Sequence, residues 1–362
     1  MPLKTLALSG GGTGGHFYPL LAFAEYLKKT AEVELIFFGD KRGIEYRKKE
    51  LLKNFDKTLF LPMEKFKGRS SLGKLIFALR TFGVSLKIAK HLKGKEFKTL
   101  VFGGYTSSPT ALATRLLKKP LFIHEQNAVP GAANRMLSKF AKRVFVAFPN
   151  AARHFKRAEV VGMPIREELK KIARASRGEI LKKLNWEDKP TLLILGGSQG
   201  AKRLNALAIE LSAKLKDVRI IHITGERNFE ETKREYKKVK KTAEVVLLPY
   251  TDRIGELMRV SHFAISRAGA STSFELALFG LPTLFVPYPY AVYDHQYHNA
   301  RYFADGGGAF VVREEELNTE RAISLIEEHL RDEELLKQRS EAMKKLFIPD
   351  AEEKIVQILL TN

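Results

Sequence analysis

The 362-residue sequence contains no cysteine and a single tryptophan, and glutamine and asparagine are scarce, at 5 and 10. Without cysteine there can be no structural disulfide and no Cys-ligated zinc, and a reducing compartment is favoured. No run approaches 18 consecutive apolar residues, so no segment is expected to span a membrane. The opening MPLKTLALSGGG passes straight from a short apolar stretch into glycine, with no basic leader and no small-residue cleavage site, so it does not read as a secretory signal. No Asp-x-Asp pair occurs, and neither a metal nor a cofactor is expected. Acidic residues are also short in one region: residues 1–160 hold 11 of them against 30 Lys+Arg, a net of +19, whereas residues 161–362 hold 30 against 32. Nearly all of the +21 therefore belongs to the first half, which points to a polyanion or an anionic membrane surface facing one domain.

What is present is enough for two cores, since 44% of the residues are hydrophobic. An apolar run leading into a glycine loop and then a helical segment recurs at Leu6–Leu8, at Leu100–Phe102 and at Leu192–Leu195. Further strands are expected at Glu34–Phe38, Leu121–His124, Arg143–Ala147, Ala158–Val161, Arg219–Ile223, Val245–Leu248, Phe263–Ser266 and Thr283–Val286. Alternating strands and helices imply βαβ units, and the series restarts near Pro190, so the expected fold class is α/β with two doubly wound, Rossmann-like parallel-sheet domains. The break is placed at Gly162-Met163-Pro164, giving one domain of residues 1–162 joined by a C-terminal helix in 350–362, and a second of residues 163–349.

Gly10, Gly12 and Gly15 satisfy G-x-G-x-x-G between a strand and a helix, where backbone N–H groups and a helix N-terminus can receive phosphate. A tight βα turn would give the same pattern, and no Lys-Ser/Thr closes the loop as a P-loop requires. The second domain opens with a similar loop, Gly196–Ala201. Two such loops facing across a cleft suit a phosphorylated donor and a phosphorylated acceptor better than a single dinucleotide.

Six motifs then occur in one order: Gly11–His16 with Pro19; Gly103-Gly104-Tyr105 with Ser107 and Pro109; His124-Glu125-Gln126-Asn127; Gly196–Ala201; Arg267-Ala268-Gly269-Ala270 with Glu275; and His295-Gln296 with Asn299-Ala300. From Leu6 to about Ala300 the chain resembles the MurG family of GT-B glycosyltransferases. The resemblance implies a GT-B fold and inverting transfer of N-acetylglucosamine from UDP-N-acetylglucosamine to the C4 hydroxyl of the muramic acid sugar of lipid I, giving lipid II for peptidoglycan.

It further implies roles for particular residues. His16 would be the general base, with Glu125 as runner-up. Glu275 would accept both ribose hydroxyls of the donor. Arg166, Ser198, Gln199 and the helix beginning at Ala270 would hold the donor diphosphate, together with Thr13, Gly14 and Gly15 from the first loop. Asn127, His295 and Gln296 would face the sugar, and Thr251 lies in the segment that reads uracil. Gly14, Gly103, Gly104, Tyr105, Thr106 and Ser107 would receive the acceptor diphosphate. Where the family commonly reads Asp-Asn or Asp-Arg before the His-Gln pair, this chain has Tyr293-Asp294.

Between Phe66 and Lys95 the cations are interleaved with apolar residues at helical spacing. Lys74, Leu75, Leu79, Arg80 and Phe82 are the expected membrane patch, which would place the protein peripherally on the cytoplasmic face of the bacterial plasma membrane. A core-facing helix with a solvated basic side is the plainer reading. A nucleic-acid-binding module competes on charge alone, but aromatic residues for base stacking are thin there, and no nucleic-acid partner is expected. Another GT-B enzyme, such as a diacylglycerol glycosyltransferase, would share the patch.

Overall fold

The computed structural model describes residues 3–65, 71–197 and 200–361. The chain divides into two compact units, residues 1–167 with 348–362, and residues 168–347.

The first unit is built on seven parallel strands: β1 (Thr5–Ser9), β2 (Glu34–Asp40), β3 (Lys57–Leu61), β4 (Phe97–Val101), β5 (Leu121–Glu125), β6 (Arg143–Val146) and β7 (Ala158–Val160), in the order β3-β2-β1-β4-β5-β6-β7. The second has six: β8 (Thr191–Leu195), β9 (Arg219–Ile223), β10 (Glu244–Leu248), β11 (Phe263–Ser266), β12 (Thr283–Phe285) and β13 (Ala309–Val311), in the order β10-β9-β8-β11-β12-β13, again all parallel. β1 and β8 are buried along their whole lengths, as all-parallel sheets covered on both faces require. In each sheet the strand order reverses once, between β1 and β4 and between β8 and β11. Such switch points open a crevice at the carboxyl ends of the strands, where ligands of doubly wound sheets bind.

The Gly162-Met163-Pro164 segment is not a linker. Met163 and Ile165 are buried, Ile165 N donates to Glu352 Oε1 at 2.8 Å, and a Cβ on Gly162 would lie 2.6 Å from the Ile348 carbonyl oxygen. The chain leaves the first unit only after Glu167, because these apolar residues complete its packing. The C-terminal helix Ala351–Thr361 returns to that unit and adds Ile355, Val356 and Leu359 to its core.

Along the helix Ser71–Leu92, Val84, Ile88, Ala89 and Leu92 are buried, but the N-terminal half is turned outward. Leu72, Leu75, Ile76, Leu79 and Phe82 are 66%, 56%, 41%, 62% and 43% exposed, which is large for five apolar side chains within three turns. Lys74 is exposed beside them, and Arg80 pairs with Glu64 at 2.5 Å. No helix among the described residues is long and apolar enough to cross a membrane.

Candidate functional site

At the first switch point three loops meet. The glycine loop after β1 leads into the helix Gly14–Thr30, which no side chain caps; Thr13 stands at the N-cap, but its Oγ1 lies 2.8 Å from His16 Nδ1 instead of bonding the backbone. The loop after β4 crosses beneath this imidazole. A Cβ on Gly103 would lie 3.1 Å from His16 Cδ2 and 3.3 Å from Nε2, and one on Gly104 would lie 3.4 Å from Nδ1 and 2.4 Å from the Gly11 carbonyl oxygen. Gly104 also has φ of +77°, so both its backbone conformation and its clearance demand glycine.

The side chains that follow Gly104 serve as braces. Tyr105 donates its hydroxyl to Asp40 Oδ2 at 2.7 Å, and burial with that carboxylate pushes the phenol up. Ser107 donates its hydroxyl to the Gly103 carbonyl at 2.7 Å and its backbone N–H to the Gly104 carbonyl at 3.3 Å. Thr106 is fully buried. The Tyr105 and Ser107 hydroxyls therefore brace the loop from within, and buried Thr106 lies between them.

Glu125 is likewise engaged within its own loop. Its carboxylate, 1% exposed, accepts from the backbone N–H groups of Asn127 (2.9 Å) and Gly131 (3.2 Å) and from Asn134 Nδ2 (2.8 Å). Desolvation raises its pKa while these donors oppose the shift. A carboxylate so enclosed holds the loop that presents Asn127. Arg166 lies with its guanidinium 5.4 Å from the Tyr18 ring centre.

At the second switch point, the glycine loop follows β8, and Ser198 and Gln199 within it lie outside the described residues. The helix Ala270–Leu278 follows β11 and starts at Gly269 without a side-chain cap, the arrangement that leaves a helix N-terminus suited to an anion. Glu275 lies on its second turn, half-buried, and so is more open than the apolar residues around it suggest. Thr251 Oγ1 accepts from Arg253 N at 3.0 Å. Gln296 Oε1 accepts from Tyr288 N at 2.9 Å, and His295 Nδ1 lies 2.9 Å from the Val292 carbonyl oxygen, so both residues are tied to the loop preceding their helix, His295–Asp305.

Several residues of these sites escaped the sequence reading. Glu45, fully buried, accepts from Gly12 N and Asp40 N, each at 3.0 Å, and anchors the first glycine loop. Its only trace in sequence is an acid placed just beyond Gly39 and Gly43. Arg267, quoted for its motif, is buried and donates to the Val286 and Pro287 carbonyls at 3.0 Å and to Glu314. Behind the second glycine loop, Tyr236, His222 and Asn205 form a buried chain, with 2.9 Å between Tyr236 OH and His222 Nδ1 and 2.9 Å between His222 Nε2 and Asn205 Oδ1.

Two of these buried imidazoles make stability depend on pH. His124 donates from Nε2 to the Gly162 carbonyl and accepts from Gln126 at Nδ1, and burial pushes it down to about 4; burial pushes His222 down to about 3. Each is neutral when folded, while the unfolded chain takes up a proton near its ordinary pKa of 6.5. Stability is therefore full above pH 6.5 and falls as the pH drops toward 4, by about 1.4 kcal/mol per pH unit for each histidine. Thermal unfolding at pH 7.5 and pH 5 checks this, and equal melting temperatures would rule it out.

Two doubly wound parallel sheets, each with a glycine loop at its switch point, define the GT-B class of fold. Residues 6–146 match the glycosyltransferase family 28 N-terminal domain and residues 191–355 the family 28 C-terminal domain, and the chain belongs to this family. It is 42% identical, over 98% of its length and 99% of the relative's, to the Aquifex aeolicus (strain VF5) protein named UDP-N-acetylglucosamine–N-acetylmuramyl-(pentapeptide) pyrophosphoryl-undecaprenol N-acetylglucosamine transferase. A Bacillus pumilus (strain SAFR-032) protein of the same name is 34% identical over 98% of both chains. The crystal structure of Acinetobacter baumannii MurG matches all of both chains with a TM-score of 0.79 at 28% identity. The UDP-GlcNAc 2-epimerase from Neisseria meningitidis, crystallised with UDP-GlcNAc, shares the fold at 15% identity and a TM-score of 0.72, covering 99% of this chain and 100% of its own.

Proposed function

We propose that this chain transfers N-acetylglucosamine from UDP-N-acetylglucosamine to the C4 hydroxyl of the muramic acid sugar of lipid I, with inversion at the donor C1. The substrates follow from the near-full-length likeness to relatives that carry this name. One observation supports the chemistry: a titratable imidazole, His16, is held by Thr13 against the Gly103-Gly104 loop at the sheet's switch point. In the tautomer whose Nδ1–H donates to Thr13 Oγ1, the lone pair stands on Nε2. The C4 hydroxyl passes its proton there as its oxygen bonds to C1, and the C1–oxygen bond to UDP breaks with its electrons leaving on the diphosphate.

Gly14, Gly103 and Gly104 receive the acceptor diphosphate through backbone groups. On the donor side Arg166, Gly15 and the second glycine loop with Ser198 and Gln199 steady the departing charge, aided by the helix starting at Ala270. Glu275 accepts the ribose hydroxyls; Asn127, His295 and Gln296 take the sugar, and Thr251 borders the uracil. An assay of transfer from UDP-N-acetylglucosamine to lipid I tests the whole reading. Wild type should form lipid II, and Glu275→Ala should raise the donor KM by about tenfold or more, since a charge-assisted pair of hydrogen bonds is lost. Absence of transfer by the wild type would overturn the assignment.

The outward apolar residues Leu75, Leu79 and Phe82, with Lys74 and Arg80, suit a peripheral seat on anionic lipid at the cytoplasmic face of the plasma membrane, where lipid I is presented. Each cation near such a surface contributes about 1 kcal/mol. Flotation with vesicles should show binding that rises with anionic lipid content and is weakened by Leu79→Asp; equal binding to neutral vesicles would remove the electrostatic part.

A further inference from the structure

The residues just before the His295–Gln296 pair, where this sequence departs from its family's usual pattern, adopt an unusual backbone. Tyr293 (φ 55°, ψ 26°) and Asp294 (φ 52°, ψ 30°) are both left-handed, and neither is glycine. Two such residues in succession, one of them aromatic, persist only where the surroundings impose them. One brace is Arg313, two residues beyond β13, which acts beside the backbone bond from Asp294 N to the Ala291 carbonyl at 2.8 Å. Its Nη2 donates to Asp294 Oδ2 at 2.8 Å, and its guanidinium lies 4.1 Å from the ring centre of Tyr297, in the first turn of the helix that the strained pair opens. Arg313 thus holds the turn from one side and the helix from the other. The loop so fixed is the one to which His295 and Gln296 are tied through Val292 and Tyr288.

We propose that Arg313 is a positioning residue for donor-sugar selectivity: by clamping the left-handed Tyr293–Asp294 turn it fixes the angle at which His295 and Gln296 meet the sugar hydroxyls. The inference rests on the donor-sugar role given to that pair. Arg313 bonds Asp294 and stacks on Tyr297, both beside the pair assigned to the sugar, so its effect is expected on the hexose and not on UDP.

The test compares wild type with Arg313→Gln for transfer to lipid I from UDP-N-acetylglucosamine and from UDP-N-acetylgalactosamine, its C4 epimer, alongside calorimetric binding of UDP alone. The expected result is a preference for the gluco sugar reduced about tenfold, as small misplacements of positioning groups produce, with UDP affinity within twofold of wild type. Adding Asp294→Gly to Arg313→Gln should recover most of the preference, because glycine adopts the left-handed conformation without a clamp. Unchanged selectivity in Arg313→Gln, a parallel loss of UDP affinity, or no recovery in the double variant would each overturn the proposal. A wild type that transfers neither sugar would instead overturn the reading on which it rests.

Discussion

Replacing His16 by alanine should lower turnover by about 10²–10⁴-fold, the range that a positioned general base supplies, while the KM for UDP-N-acetylglucosamine changes by little. The asymmetry follows from placement. His16 belongs to the first unit, where its ring lies against Gly103 and Gly104, whereas the ribose and most diphosphate contacts proposed for the donor come from residues 196–200 and 270–275. Its neighbour Thr13 supplies an internal check. Thr13→Ala leaves the imidazole present but removes the 2.8 Å contact that orients it, so turnover should fall less than in His16→Ala. Steady-state kinetics with saturating donor decide the matter: turnover within a factor of three of wild type in His16→Ala would discard the base.

A single methyl group at residue 104 should be nearly as damaging. In Gly104→Ala the new Cβ would stand 2.4 Å from the Gly11 carbonyl oxygen, a backbone atom that cannot swing aside, and alanine pays about 1–2 kcal/mol for the left-handed conformation in addition. The two loops must separate, carrying His16 with them, and displacements near 1 Å at a reacting centre reduce rates by about 10²-fold. Lower turnover together with a lower melting temperature is expected. Gly178→Ala provides the control: nothing lies within 4 Å of its Cβ position and it sits inside the helix Arg177–Leu184, so alanine should be neutral or stabilising by about 0.5–1 kcal/mol. If Gly104→Ala behaves like Gly178→Ala, the close approach of the two loops has no functional weight.

How much of this could be read without coordinates depended on where each residue sits. Strands at the centre of a parallel sheet are continuous apolar runs, so Leu6–Leu8, Leu192–Leu195 and Phe263–Ser266 announced themselves. The strands that escaped, β3 (Lys57–Leu61) and β13 (Ala309–Val311), are sheet edges, partly exposed and short, and their sequences carry neither a long apolar run nor a clear alternation. The glycine loops were legible because tight strand-to-helix turns and close backbone approach restrict residue type at fixed spacing. Glu45, Asp40 and the His222 chain were not, since their role arises from partners brought close only by folding. The same cause hid the partners of Tyr105, Ser107 and Glu125, whose polar side chains are engaged by Asp40, the Gly103 carbonyl and Asn134.

The return of the C-terminal helix to the first unit bears on how the chain is made. Ile355, Val356 and Leu359 belong to the same core as Leu6, Phe17 and Leu100, so that core lacks three of its members until residues 351–361 leave the ribosome. Synthesis of residues 168–347 intervenes, and at about 5–20 residues per second the wait is roughly 10–40 s. During that interval the first unit, the more basic one with its outward apolar helix, exists with part of its core uncovered. A nascent chain in that state is a natural client for chaperones, and the second unit, contiguous in sequence, can finish folding before the unit that began first.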